Sequence, residues 1–320
     1  MVTIIDRTLT TLNPNGIDSH DLNHFCDLLF TCGVTKIELA SELVSQLEPP
    51  TLAGDSGKYM HYRTCFLTQV INTDQTIIWN LEPNELVEKV IHINQVNQIE
   101  NIRYQKIRLL GLANLMTLDY SAIFQQLLNS DADTLDLCPS NEKHCATAIA
   151  LEWIMAGGQS VSCSFANRHD FPPLEEVLMG LKLSDPESFT GDLSVLNELR
   201  MLYEKITVIK LSKMKAIIGE DIFKVESGIH VDGVLKNPHT YEPFNPHTVG
   251  NKREIVLGKH SGQQSVLYKF KEQNLSDSAA ATILKQIKGR CTQLGRSLSD
   301  LELRTLASEV QNDYDAKIYC

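Results

Sequence analysis

What most constrains this chain is a rhythm. Between residues 1 and 190, short apolar runs alternate with longer stretches of helical period. A chain that repeats strand then helix builds a parallel sheet with helices laid on it. "VTII" is the first strand, and "DSHDLNHFCDLLFTCG" the first helix, opened by Asp18 or Ser19 as N-cap and stopped by Gly33. "TKIEL" follows as a strand, then "RTCFLTQVI" and "QTIIW" as two more. "EPNELVEKVIHINQV" is expected to be a helix with Pro83 in its first turn. Further on, "QKIRLLGL" precedes helix "DYSAIFQQLLN", "DTLDL" precedes "NEKHCATAIALEWIMAGG", and "SVSCSF" precedes "PLEEVLMGLK". About seven strands in this arrangement fit an α/β fold, a degenerate (β/α)8 TIM-type barrel that has lost or shortened one unit. An open doubly wound sheet is the alternative, but no GxGxxG loop accompanies it.

After Lys182 the rhythm stops. "SDPESFTGDLSVLNELRMLYEKIT" is a loop and a helix with no strand behind it, and an irregular stretch rich in Gly, Pro, Asn and His follows. Three helical patterns close the chain, each opened by Ser or Asp or close to one: "SVLYKFKEQ", "SDSAAATILKQIKGRCTQLG" and "SDLELRTLASEVQND". The expected layout is therefore a barrel over 1–190, a linker helix and small subdomain over 191–262, and a helical domain over 263–320.

Composition excludes several classes of function. The net charge of −11, with no basic block to offset it, argues against nucleic acid or an anionic membrane surface as partner. No apolar run approaches the ~20 residues of a membrane span, and the opening "MVTIIDRTLT" shows no signal-peptide pattern. Eight cysteines (26, 32, 65, 138, 145, 163, 291 and 320) form no CxxC pair, so reduced, mostly buried thiols in a cytoplasmic protein are expected.

The segment that carries chemistry is "ESGIHVDGVLKNPHTYEPFNPHTVGNKREIVLGKHSG", Glu226 to Gly262. It closely resembles the C-terminal region of the homocitrate synthase and isopropylmalate synthase family, and "PLEEVLMGLK" resembles the last barrel helix of that family. Members join acetyl-CoA to a 2-oxo acid by a Claisen-type condensation. A divalent metal on the barrel polarises the carbonyl, a base removes a methyl proton, and an acid neutralises the alkoxide. The metal comes from the Asp of a Thr-Leu-Arg-Asp-Gly run and from both histidines of an HxH strand, whose spacing of two puts them on one face.

At each of those places this sequence departs. "DRTLTTLNPNG" keeps Asp6, Thr8 and Leu9, but Thr10 and Thr11 stand where the resemblance puts the catalytic Arg and the metal Asp. The HxH falls on Cys138-Pro139-Ser140, with Asn141 retained, and a substrate Asp-Thr pair falls on Gly111-Leu112. The family's Gly-Glu-Arg-Ala-Gly-Asn run is "ANRHDF", which keeps only Arg168. No divalent metal and no cofactor is therefore expected on this chain. Cys138, His144, Cys145, Cys163 and His169 match no common zinc spacing and fit a packed barrel and its loops.

The C-terminal motif is intact. In the family it reaches the partner subunit's barrel and supplies an acid/base His and a Tyr, which by motif match are His230 and Tyr241. An imidazole titrating near ~6.5 suits proton transfer, and a phenol donates to an alkoxide. Glu226, four residues and one helical turn before His230, is placed to orient it; the family's preceding His is Val225 here. His239 and His247 are expected in solvated loops, and His260 to fix the turn into the helical domain. A worn barrel beside a kept C-terminal motif most resembles the omega-type chain of the two-chain homocitrate synthases of some nitrogen-fixing organisms. That implies a catalytic alpha-type partner holding the metal, with acetyl-CoA and 2-oxoglutarate as substrates. The alternatives are a stand-alone acyltransferase with a rebuilt site and a non-catalytic regulator of the same family.

Overall fold

The computed structural model of the chain describes residues 2–10, 12, 16–44, 46–47, 59–62, 87–91, 106–130 and 134–318. These fall into two compact units, 1–218 and 219–320.

The first unit carries a seven-stranded sheet: β1 (Thr3–Leu9), β2 (Lys36–Ala40), β3 (Tyr59–Tyr62), β4 (Val87–Ile91), β5 (Lys106–Gly111), β6 (Thr134–Pro139) and β7 (Ser160–Cys163). Its order is β3-β2-β1-β7-β6-β5-β4, and every pair is parallel. Except for β3 and β4, which end the order, each strand thus lies beside its sequence neighbours, and β1 lies beside β7. A doubly wound sheet reverses its order at a switch point; this order has β3 and β4 as its ends among the described residues.

The longer helices of this unit, among the described residues, are α1 (Ser19–Thr31), α2 (Tyr120–Leu128), α3 (Ala146–Met155), α4 (Leu174–Ser184) and α5 (Leu196–Thr207). Asp18 caps α1 by accepting from the amides of His20 and Asp21, and Asp119 caps α2 through Ala122. Gly33 takes φ +113 just past α1, a conformation that favours glycine. The convex face of β5 and β6 is apolar: Ile107, Leu109, Leu135 and Leu137 pack with Phe124, Leu127, Ile149 and Trp153. Trp153 donates from its indole to the Ser160 carbonyl at 2.9 Å.

The opposite, concave face is polar. Arg7, Glu38, Arg108 and Asp136 are all buried. Glu38 accepts from Arg7 at 2.9 Å and from Arg108 at 2.7 Å, while Arg108 also donates to Asp136 at 2.6 Å. Ser160 and Ser162 donate their hydroxyls to the same Asp136. Arg108 stands on β5 and Glu38 on β2, with three strands between them in the sheet. In a flat sheet four spacings of about 4.8 Å would separate these strands by roughly 19 Å. Their direct ion pair requires the sheet to curl until distant strands meet across its hollow.

Two expectations change. "EPNELVEKVIHINQV" is not a helix over its centre, because Val87–Ile91 is strand β4, paired from Val87↔Ile107 to Ile91↔Gly111. Val87, Val90 and Ile91 have helical spacing, but β-branched side chains suit a strand and the β5 backbone supplies the ladder. The expected strands "RTCFLTQVI" and "QTIIW" lie outside the described residues. The break between units falls at 218/219 rather than at 190 and 262. Helix α5 lies within the first unit, with Leu196, Leu199, Leu202 and Tyr203 buried and the Tyr203 ring 5.5 Å from Phe165.

In the second unit, β8 (Lys224–Val225) pairs with β9 (Glu254–Ile255), α6 is Gly228–Lys236, α7 is Gln263–Lys269, α8 is Asp277–Leu294 and α9 is Asp300–Ile318. Ala280, Ile283, Ile287 and Cys291 of α8 meet Leu303, Leu306, Ala307 and Val310 of α9, each set a helical stripe. Ser299 and Glu302 form a capping box at the start of α9, each side chain accepting the other's amide. Cys26, Cys32, Cys138, Cys145, Cys163 and Cys291 are free thiols, all but Cys145 buried. Among the described residues no helix is long and apolar enough to cross a membrane.

Arg108 is the hinge of the buried charge set. Arg108→Met is expected to lower unfolding free energy by about 3–5 kcal/mol, since it strands buried carboxylates. Urea denaturation checks this, and a loss below about 1 kcal/mol, the range of an exposed ion pair, would show that the set does not bind the sheet together.

Candidate functional site

The ends of β5, β6 and β7 carry the positions at which the family resemblance puts metal and oxo acid. Thr11 lies outside the described residues. Thr10 is buried and spends its hydroxyl on the Arg7 carbonyl at 2.8 Å. Leu112 points into the apolar cluster behind β5. Cys138 is buried against the Arg7 guanidinium, which lies 3.8 Å from its Sγ, and burial pushes its thiol up to about 12. Ser140 accepts from the Glu142 amide at 3.3 Å, and Asn141 bonds Asn167 and caps Ala146. A protonated thiol beside a guanidinium is no ligand for a hard divalent cation, so the donor set at these positions does not fit one. Arg7 instead brings its own positive charge to the place, and Phe171 stacks over it with the guanidinium carbon 4.5 Å from the ring centre.

The loop after β7 keeps an unusual backbone. Ala166, Asn167, His169 and Asp170 all have φ between 56 and 62, and Leu112 and His144 on neighbouring loops have φ 57. Ala166 and Asp170 stand at the two glycine places of the family run. Such a left-handed residue without glycine costs about 1–2 kcal/mol, so the surroundings must hold the loop in shape. Glu175, fully buried in α4, accepts from the Ala166 amide at 2.9 Å and pairs with Lys215 at 2.9 Å. Cys138, His144, Cys145, Cys163 and His169 are not gathered into a cluster. Among the described residues, the His/Cys/Asp/Glu side chains that come together at metal-ligand distance are Asp18, His20 and Asp21. Those are exposed or half-buried; Asp18 is occupied as the α1 cap and Asp21 pairs with Lys205.

Residues 226–262 sort themselves by burial. Glu226 bonds elsewhere in the motif. Helix α6 begins only at Gly228, so Glu226 precedes it, and its carboxylate accepts from the His260 amide at 2.9 Å and from the Ser297 hydroxyl at 3.4 Å. Ser261 donates its hydroxyl to the Glu226 carbonyl and accepts from the Gly258 amide. Gly228 and Gly262 meet backbone to backbone: a Cβ on Gly228 would lie 2.9 Å from the Gly262 Cα. "ESG" and "GKHSG" are thus one interlocked fold of chain. The His260 turn is held by its amide, while its imidazole is exposed, as are His239 and His247.

What this scaffold presents outward is the pair His230 and Tyr241. Their ring centres lie 4.6 Å apart at 47°. Tyr241 remains 45% exposed, and the adjacent Ile229 is 79% exposed. The Tyr241 strap is anchored by a feature not foreseen from the sequence. Buried Glu242 takes both arms of Arg253, Nε and NH2, at 2.6 Å each. The signal was present as an acidic and a basic residue eleven apart in the motif, but only the fold shows that they meet.

Residues 217–294 match the family model described as homocitrate synthase post-HMGL domain-like. The omega subunit of homocitrate synthase from Clostridium pasteurianum is 30% identical over 342 aligned positions, covering 97% of this chain and 96% of that one. The 2-isopropylmalate synthase 2 of Caldanaerobacter subterraneus is 38% identical over 55% of this chain and 47% of its own length. Homocitrate synthase AksA of Methanothermobacter thermautotrophicus is 33% identical over 55% and 46%. The match thus spans about half of the last two relatives and nearly all of the first. Among solved structures, the carboxyl transferase domain of Rhizobium etli pyruvate carboxylase aligns at a TM-score of 0.31 and 12% identity, over 68% of this chain and 38% of that one, which is too slight to bear on the fold. A parallel sheet with a polar buried face is followed, in the second unit, by the His230–Tyr241 pair. The chain belongs to the homocitrate synthase and isopropylmalate synthase family, and its sequence match to an omega subunit runs end to end.

Asp6 gives a pH test of this region. It is buried beneath Phe165 and Glu175, with Thr8 as hydrogen-bond partner, and burial raises its carboxyl from 3.8 to about 7. Between those values the folded chain holds a proton that the unfolded chain has released, so stability falls as pH rises through that window. Asp6→Asn cannot titrate and is expected to flatten the fall. Parallel urea-midpoint profiles for the two proteins from pH 4 to 7.5 would refute it.

Proposed function

We propose that this chain is the complementary subunit of a heteromeric homocitrate synthase, supplying acid/base groups in trans to a catalytic alpha-type partner. The reaction joins acetyl-CoA to 2-oxoglutarate and, with water, yields homocitrate and CoA. The observation that carries the reading is an asymmetry between the two units. The interior of the first is closed by its own ion pairs, with Arg7 against the former ligand position Cys138. The second presents His230 and Tyr241 side by side and outward. A relative matched along nearly its whole length is named an omega subunit, which supports the same assignment.

In this reading the curled sheet is a degenerate (β/α)8 barrel kept as scaffold, and the chain works in the cytoplasm. The divalent metal of the reaction is held by the partner, and no step carried by this chain runs through it. His230 moves a proton at its exposed imidazole, between the acetyl methyl group or the new alkoxide and solvent. Tyr241 donates its phenolic hydrogen to oxygen that gains negative charge. Glu226 acts only on the fold of the motif.

Co-expression with an alpha-type homocitrate synthase subunit tests this. The complex is expected to form, and His230→Ala to leave its assembly and metal content unchanged while turnover falls by about 10²–10⁴-fold, the range of a removed general acid or base. Tyr241→Phe should cost less and Cys138→Ala almost nothing. Near-normal turnover of the His230→Ala complex would leave a non-catalytic regulator instead.

Metal analysis of the chain purified alone is expected to find no stoichiometric divalent ion. About one tightly held ion per chain would overturn the account of the first unit.

A further inference from the structure

Helix α6 contains a glycine at its centre. Gly233 has an ordinary helical backbone, so no turn or strain calls for it, and glycine inside a helix costs about 0.5–1 kcal/mol relative to alanine. The space above it explains its presence. A Cβ on Gly233 would stand 2.4 Å from Cε2 of Tyr241, 3.3 Å from Cδ2 and 3.4 Å from Cζ. The Tyr241 ring therefore lies directly on the helix backbone. Residues three apart share a helix face, so a ring seated on Gly233 must lie alongside His230, and the ring centres are 4.6 Å apart.

The strap that carries the ring is fixed as well. Asn237 ends α6 by donating its amide to the Gly233 carbonyl at 2.8 Å, and its side chain accepts from His239 to open the next turn. The Tyr241 and Glu242 amides both return to the Pro238 carbonyl. Immediately after Tyr241, the buried Glu242 carboxylate is clamped by Arg253. The strap can approach α6 only as closely as the missing side chain at 233 permits.

We propose that Gly233 is a positioning residue for the His230–Tyr241 pair, a seat whose lack of a side chain sets the phenol beside the imidazole. The role in turnover rests on the function proposed above; the seat itself does not. Gly289, in α8, provides the control, since a Cβ there meets nothing within 4 Å.

Two readouts separate seat from function. In the full chain with 13C-labelled histidine, the His230 ring protons should feel the Tyr241 ring current. Gly233→Ala is expected to move those signals to where Tyr241→Ala places them, while Gly289→Ala leaves them in place. If Gly233→Ala folds poorly, thermal melting decides: the substitution should lower Tm when Tyr241 is present and not lower it in a Tyr241→Ala background. In the reconstituted complex Gly233→Ala should lower kcat by about 10²-fold with little change in KM, as misplaced reacting groups do. His230 signals unmoved by Gly233→Ala, or equal Tm losses in both backgrounds, would overturn the seat and leave the proposed function standing. Signals that move while kcat stays normal would overturn the positioning role together with the catalytic reading of the pair.

Discussion

The ion pair between Arg108 and Glu38 is the constraint on which the first unit depends. It ties β5 to β2 across three intervening strands, and Arg7 and Asp136 complete a set with two positive and two negative charges. Taking four charges out of water is costly, and only their mutual pairing, helped by the hydroxyls of Ser160 and Ser162, offsets that cost. The set therefore fixes the curl of the sheet. It also sets the surroundings of Cys138, whose Sγ lies 3.8 Å from the Arg7 guanidinium.

The loop after β7 is held by the same kind of buried contact. Ala166 and Asp170 keep left-handed backbone at places where the family run has glycine. The loop is held from outside by Glu175, itself paired with Lys215, and from beneath by the Thr8 hydroxyl that receives the Phe165 amide. Its shape rests on anchors, Glu175 and Thr8, that are buried.

The second unit divides its labour in another way. Glu226, Gly228, Gly258, Ser261 and Gly262 spend their polar groups or their lack of side chain on one another. Glu242 and Arg253 clamp the strap. With those demands met internally, His230 and Tyr241 are left exposed side by side.

Much of this was legible in the chain itself. The helices opened by Asp18, Asp119 and Ser276, and the strands β1, β2 and β5 to β7, follow from caps and apolar periods that act over a few residues. The motif from Glu226 to Gly262 marked His230 and Tyr241 as belonging together. Val87–Ile91 misled because three apolar residues at helical spacing are also β-branched, and the β5 ladder, remote in sequence, settled the choice. Glu226 misled because a spacing of four implies a shared helix face only inside a helix, and α6 starts two residues later. Local propensity and motif thus determined most of the elements and singled out the His230–Tyr241 pair. Which charges meet across the sheet, which carboxylate holds which turn, and how closely Tyr241 settles on Gly233 were decided by tertiary structure, because those contacts join residues whose separation in sequence carries no record of their distance in space.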